Sequence, residues 1–151
     1  MIKTIELVVS LKMPDTTAIT ALQTLQKLGF GRIKEVKRYF YYKFSVDGNL
    51  EDFKSKISKV DNLVNANKHT FDFEIKKDNY VKVLVKNTDD GGSGILSTLK
   101  DRLGFNNIKK VESAVMWGLL IDGNEKEAGK IAEKAAKDLL ANENYQEFAI
   151  L

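Results

Sequence analysis

Apolar and polar residues alternate at the start of the chain. Ile5, Leu7, Val9 and Leu11 are separated by Glu6, Val8 and Ser10, which predicts a first strand. Pro14-Asp15 then marks a turn and a helix start, with Asp15 or Thr16 as N-cap. Ala18, Leu22, Leu25 and Leu28 recur at helical spacing, and Ile19 widens the stripe. Gly29 stands where a left-handed cap closes a helix, followed by Phe30. From Ile33 to Val46 a period-two row (Phe40, Tyr42, Phe44, Val46) predicts two strands or one long bent strand. No Gly, Pro or Asn marks a turn near Arg38-Tyr39. Asp47-Gly48 ends the row, and Asn49 caps a second helix with Phe53, Ile57, Val60 and Val64 inward. Phe71, Phe73 and Ile75 alternate as a last strand, so the order is β-α-β-β-α-β.

After the polar linker Lys76-Lys77-Asp78-Asn79 the pattern returns. Val81, Val83 and Val85 predict a strand, and Ile95, Leu96, Leu99 and Leu103 a helix closed by Gly104. Asn124 with Glu127 reads as a capping box for a helix carrying Ile131, Ala135 and Leu139, and Phe148 and Ile150 end the pattern. Leu28-Gly29-Phe30 returns as Leu103-Gly104-Phe105, and Asp47-Gly48-Asn49 as Asp122-Gly123-Asn124, both at an offset of 75 (103 − 28 and 122 − 47). Leu63, Asn65, Asn67 and Phe71 match Leu140, Asn142, Asn144 and Phe148 at an offset of 77 (140 − 63), which implies a two-residue insertion. The expected fold is α+β: two tandem ferredoxin-like βαββαβ halves, 1–77 and 78–151, with antiparallel sheets and helices on one face.

Composition adds mainly exclusions. A half of about 75 residues is marginal as a separate domain, so the two halves are expected to share buried surface. The net charge of +3 is too small and too scattered for a nucleic-acid face. With no cysteine there is no disulfide, thiolate nucleophile or Cys-based metal site. Ile5–Val9 is too short for a secretory segment, nothing approaches a membrane-spanning length, and a cytoplasmic location is expected.

Candidate chemistry is sparse. Asp89-Asp90-Gly91-Gly92-Ser93-Gly94 precedes a helix, but no Gly-Lys-Ser/Thr follows and the aspartates repel phosphate, so it reads as a turn. His69 is the single histidine and reads as a surface residue beside the last strand of the first half. The aromatic run Tyr39 to Phe44 resembles an RNA-stacking platform, yet lacks the accompanying K/R-G-F/Y-G/A-F motif. No catalytic, cofactor-binding or metal-binding residues are assigned. The repeats differ most on one sheet face, where Tyr39, Tyr41, Lys43 and Ser45 become Ala114, Met116, Gly118 and Leu120. That face is expected to pack against a sheet, with Tyr39, Tyr41, Ala114, Met116, Gly118 and Leu120 as its interface and Gly118 admitting a ring such as Tyr41.

Leu139-Leu140-Ala141-Asn142 followed by Tyr145-Gln146-Glu147-Phe148-Ala149-Ile150 resembles the C-terminal signature of PurS. PurS is the small subunit of the multi-subunit phosphoribosylformylglycinamidine (FGAM) synthase of purine biosynthesis. Leu11-Lys12 and the two Leu-Gly-Phe helix ends are similar to further parts of that pattern, whereas its Asp-Pro-Gln-Gly segment is replaced by Pro14-Asp15 and by Asp89-Asp90-Gly91. The resemblance implies a non-catalytic scaffold without cofactors. Its partners would be a PurL-like synthetase and a PurQ-like glutaminase, held together so that ammonia passes between them. It also implies a dimer or pair of dimers, so that this chain is a fused dimer that self-associates further. An alternative is an ACT-like regulatory module that binds a small ligand, such as an amino acid, at Asp89–Gly94.

Overall fold

The computed structural model describes residues 1–88 and 92–151. Its elements are β1 (Ile2–Leu11), α1 (Thr16–Lys27), β2 (Ile33–Asp47), α2 (Leu50–Ile57) and β3 (His69–Asp72). They continue with β4 (Tyr80–Asn87), α3 (Ser93–Asp101), β5 (Ile108–Ile121), α4 (Glu125–Ala135) and β6 (Gln146–Ile150). A π-helical turn, Ala136–Leu140, follows α4 directly. The sheet is antiparallel with strand order β3-β1-β2-β5-β4-β6. No described helix is long and apolar enough to cross a membrane.

The caps follow from side-chain chemistry. Asp15 accepts from the backbone N–H of Thr17 at 3.0 Å and of Ala18 at 3.2 Å, satisfying donors that the first helical turn leaves free. The same carboxylate takes the Arg38 guanidinium at 2.8 Å. Asn49 accepts from Asp52 N–H at 3.1 Å and Asn124 from Glu127 N–H at 2.9 Å. Gly29 and Gly104, with φ of +99° and +73°, close α1 and α3 in the left-handed region.

Ile33–Asp47 is one unbroken strand. Arg38-Tyr39-Phe40 offers no residue that favours reversal, and its β-branched and aromatic neighbours favour continued extension. Ile108–Ile121 runs on through Ser113-Ala114 in the same way. The result is two compact units that cut across the repeats. Unit 1 comprises Met1–Met13, Phe40–Lys76 and Asp90–Ser113, and unit 2 comprises Pro14–Tyr39, Lys77–Asp89 and Ala114–Leu151.

Unit 1 therefore holds β3, β1, the second part of β2 and the first part of β5, with helices α2 and α3. Unit 2 holds the first part of β2, the second part of β5, β4 and β6, with α1 and α4. Four strands and two helices are the ferredoxin-like complement. The two middle strands expected within each repeat are two lengths of one strand, each length serving a different unit. Each repeat likewise gives one helix to each unit, so the repeat boundary at 77/78 and the unit boundaries are different things.

The cores follow the same exchange. In unit 1, Leu7, Val9, Phe44, Phe53 and Ile57 pack with Leu99, Ile108 and Val111 from the second repeat. In unit 2, Val83, Val85, Leu119 and Ala132 pack with Ala18, Leu25, Ile33 and Val36 from the first. Leu25 is 0% exposed and Leu99 1%, each contributing about 1.5–3 kcal/mol through burial.

Several inward positions expected from periodicity lie elsewhere. Leu28 and Leu103 are exposed because α1 ends at Lys27 and α3 at Asp101, and Ile19 is exposed too. Helix α2 stops at Ile57, so Val60 and Val64 lie beyond it, yet both still pack inward on the unit 1 core. Strand β3 stops at Asp72, so Phe73 and Ile75 are not strand residues; Phe71 is exposed and meets the Phe73 ring edge-on at 5.6 Å. After Ala135 an α-helix would bury Leu139. The π turn, in which Ala141 N–H reaches back five residues to Ala136 C=O at 2.8 Å, buries Leu140 and leaves Leu139 37% exposed.

Candidate functional site

The sheet face opposite the helices carries the residues that distinguish the repeats. In unit 1, Tyr41 lies across from Val8 on β1 and is buried, and its hydroxyl donates to Glu6 Oε2 at 2.5 Å. Burial first, then the Glu6 carboxylate, raises the Tyr41 pKa far above the usual phenol value. In unit 2, β4 sets Tyr80 opposite Leu120, Lys82 opposite Gly118 and Leu84 opposite Met116. Met116 is buried, whereas Tyr39, Ala114 and Leu120 are half-buried. Of the six residues expected at an interface, Tyr41 and Met116 are thus already covered within one chain.

Gly118 admits rings, but those of Tyr39 and Tyr80 rather than Tyr41. A Cβ at Gly118 would sit 3.6 Å from Tyr39 Cε2 and 3.6 Å from Tyr80 Cβ and Cδ2. Around this stack lie paired charges. Lys82, 7% exposed, donates to the Asp78 carboxylate, and the Lys37 ammonium sits 4.5 Å from the centre of the Tyr80 ring. Partial burial alone would raise the Asp78 pKa, but the Lys82 hydrogen bond, the Tyr80 backbone N–H and the Lys82 and Lys37 charges together outweigh it and hold the carboxyl below its usual range. The Tyr80 hydroxyl is pushed up to about 12, by burial first and then by the Glu35 carboxylate. The sequence marked Gly118 by its contrast with Lys43; no periodicity marked Tyr80 or Lys82, because both open β4 beside the linker.

A pH dependence follows. The folded chain keeps Tyr41 and Tyr80 protonated at pH values where the unfolded chain ionises them. This stabilisation is whole below about pH 10 and is lost as pH rises toward about 12. Urea midpoints taken across that window should fall with rising pH, and Tyr80→Phe and Tyr41→Phe should each flatten the fall. An unchanged slope in both variants would contradict the assignment.

The other sequence candidates resolve differently. His69 is not a free surface residue: it opens β3 half-buried, its Nδ1 accepts from Asn65 N–H at 2.9 Å, and its ring meets Phe40 edge-on at 6.3 Å. Asp89, Asp90 and Gly91 of the Gly-rich loop lie outside the described residues. Among the described residues no cluster of His, Asp or Glu is placed to hold a metal ion.

The C-terminal segment repeats the geometry around His69. Asn142 N–H donates to Gln146 Oε1 at 2.9 Å and Asn144 N–H to Asn142 Oδ1 at 3.0 Å, closing a turn that leads into β6. In the first repeat Asn67 N–H donates to Asn65 Oδ1 at 3.0 Å, and His69 takes the place of Gln146. Strand β6 then pairs with β4, Val85 opposite Phe148 and Val83 opposite Ile150. This segment, from the first strand of the second repeat to the last residue, is what matches a known family. Residues 80–151 match PurS, phosphoribosylformylglycinamidine (FGAM) synthase. The match takes in β4, α3, β5, α4, the π turn and β6, and so includes parts of both compact units. No curated protein matches the chain.

Proposed function

We propose that the chain is a non-catalytic scaffold subunit of FGAM synthase, holding a PurL-like synthetase and a PurQ-like glutaminase together so that ammonia passes between them. The PurS match over residues 80–151 carries this reading. The chain is a tandem duplication of that unit. In support, the Asn turns recur at Asn65 and Asn142, and the bond from Thr24 Oγ1 to Thr20 C=O at 3.0 Å recurs from Thr98 to Gly94 at 3.1 Å. The exchanged helices and long strands give one chain the make-up of a dimer with its subunits covalently joined. Without cysteine it lacks the usual glutaminase nucleophile, in keeping with a scaffold. The test is to add the purified chain to the two large subunits and follow glutamine-dependent and ammonia-dependent synthesis separately. The chain should raise the first strongly and the second little. Full glutamine-dependent synthesis in its absence would overturn the scaffold role.

The face bearing Tyr39, Ala114, Gly118 and Leu120 is the surface through which tandem chains associate further. Gly118→Lys should lower both the melting temperature and the assembled mass, because a long side chain displaces the Tyr39 and Tyr80 rings. Lys43→Gly at the matching, exposed position of the first repeat should change neither by much. Sedimentation and melting of the two variants separate the outcomes: wild-type mass and stability in Gly118→Lys would remove the surface from consideration.

A further inference from the structure

We propose that a groove beside Trp117 in unit 2 binds a small uncharged molecule presenting a hydrogen-bond acceptor on an apolar body. One wall is a face of α1 running from Thr16 to Thr24, the other is the π turn with Leu139, and the groove holds about 400 Å³. Trp117 lines it, 9% exposed, and among the described residues its indole N–H has no hydrogen-bond partner. No fully buried side-chain nitrogen or oxygen of the described residues lacks a partner, so this N–H keeps some solvent access, and we place that access at the groove the ring lines. A donor held on a nearly buried ring and facing a cavity calls for an acceptor in that cavity.

The lining sets the rest of the ligand's character. It contains no ionisable side chain, and nearby Asp15 and Arg38 satisfy each other at 2.8 Å, so nothing offers to compensate a charge. Thr16, Thr17 and Thr20 supply hydroxyls, while Ala21, Leu139 and Leu140 supply apolar contact. Unit 1 carries a bulkier residue at the corresponding helix position. Aligning the Thr24–Thr20 bond with the Thr98–Gly94 bond sets Leu25 against Leu99 and Ala21 against Ile95, which packs on the unit 1 core. Ala21 puts a small side chain on the groove where α3 carries the larger Ile95, and the π turn of the second repeat brings an exposed Leu139 to the rim. Two local departures from the repeat thus meet at one groove. The inference is independent of the synthase reading.

Trp117 is the chain's single tryptophan, so its indole ¹H–¹⁵N resonance reports on the groove without ambiguity. Acetanilide, ethylbenzene and benzoate serve as probes: an acceptor on an apolar ring, the ring without an acceptor, and a charged ring. Acetanilide should move the Trp117 indole signal saturably, with a dissociation constant of about 1 mM or below. Ala21→Ile, which copies unit 1, should weaken binding at least about tenfold, and Thr20→Val about 3–10-fold through loss of one neutral hydrogen bond. The exposed Thr20 variant keeps the test decisive if the bulkier one folds poorly. No saturable shift with acetanilide, equal binding of ethylbenzene or benzoate, or undiminished binding in a folded Ala21→Ile variant would each overturn the proposal.

Discussion

Expressed separately, residues 1–77 and 78–151 should each fail to unfold as a cooperative monomer, and mixing them in equal amounts should restore the transition. The reason lies in which repeat completes which core. Without the second repeat, the Leu7, Val9 and Phe44 row loses Leu99, Ile108 and Val111; without the first, Val83, Val85 and Leu119 lose Leu25, Ile33 and Val36. Each buried aliphatic side chain is worth about 1.5–3 kcal/mol, and three of them per core approach the whole stability of a small domain, about 5–15 kcal/mol. A fragment that folds by pairing with a copy of itself should show a midpoint that rises with concentration. Circular dichroism in urea, with sedimentation at two concentrations, reads both outcomes. A monomeric fragment melting near the intact chain's midpoint would show that exchange between repeats is not needed.

Gly92→Ala should cost on the order of 3 kcal/mol or more. Gly92 is the N-cap of α3 with φ of +105°, where an L side chain is strained by roughly 1–2 kcal/mol. Its added Cβ would lie 2.5 Å from the Val111 carbonyl oxygen and 2.9 Å from the carbonyl carbon, backbone atoms of β5 that no rotamer change can move. Relieving the overlap means shifting α3, which withdraws Leu99 from the unit 1 core. Gly129→Ala is the internal contrast: it lies inside α4 with nothing within 4 Å of its added Cβ, so the change should stabilise by about 0.5–1 kcal/mol. Equal effects from the two changes would remove the steric argument.

The features that can be read in the sequence are local ones. Asp15, Asn49 and Asn124 cap helices because a short side-chain acceptor one residue ahead of an apolar stripe has few other uses. The rows Ile5, Leu7, Val9 on β1 and Trp117, Leu119, Ile121 on β5 are buried as strand alternation predicts, although Val8 and Met116 on the opposite face are covered too. What escaped were choices that depend on partners distant in sequence. The missing turn at Arg38-Tyr39 could be seen, yet no local pattern tells which helix an uninterrupted strand will meet. The extra residues of the second repeat were countable, but the π turn after α4, which buries Leu140 in place of Leu139, was not. At the candidate face, Gly118 stood out by contrast with Lys43, while its ring partners Tyr39 and Tyr80 come from β2 and β4 and meet only in the folded sheet.

The exchange of helices also fixes a timetable for the nascent chain. Unit 1 draws on residues as far as Ser113, so the ribosome releases the whole first repeat before α3 and β5 exist to finish that core. At roughly 5–20 residues per second, the stretch from Lys76 to Ser113 takes about 2–7 seconds. For that interval Leu7, Val9 and Phe44 lack the cover that Leu99, Ile108 and Val111 supply, which leaves the first repeat open to chaperone binding until the second repeat completes the core.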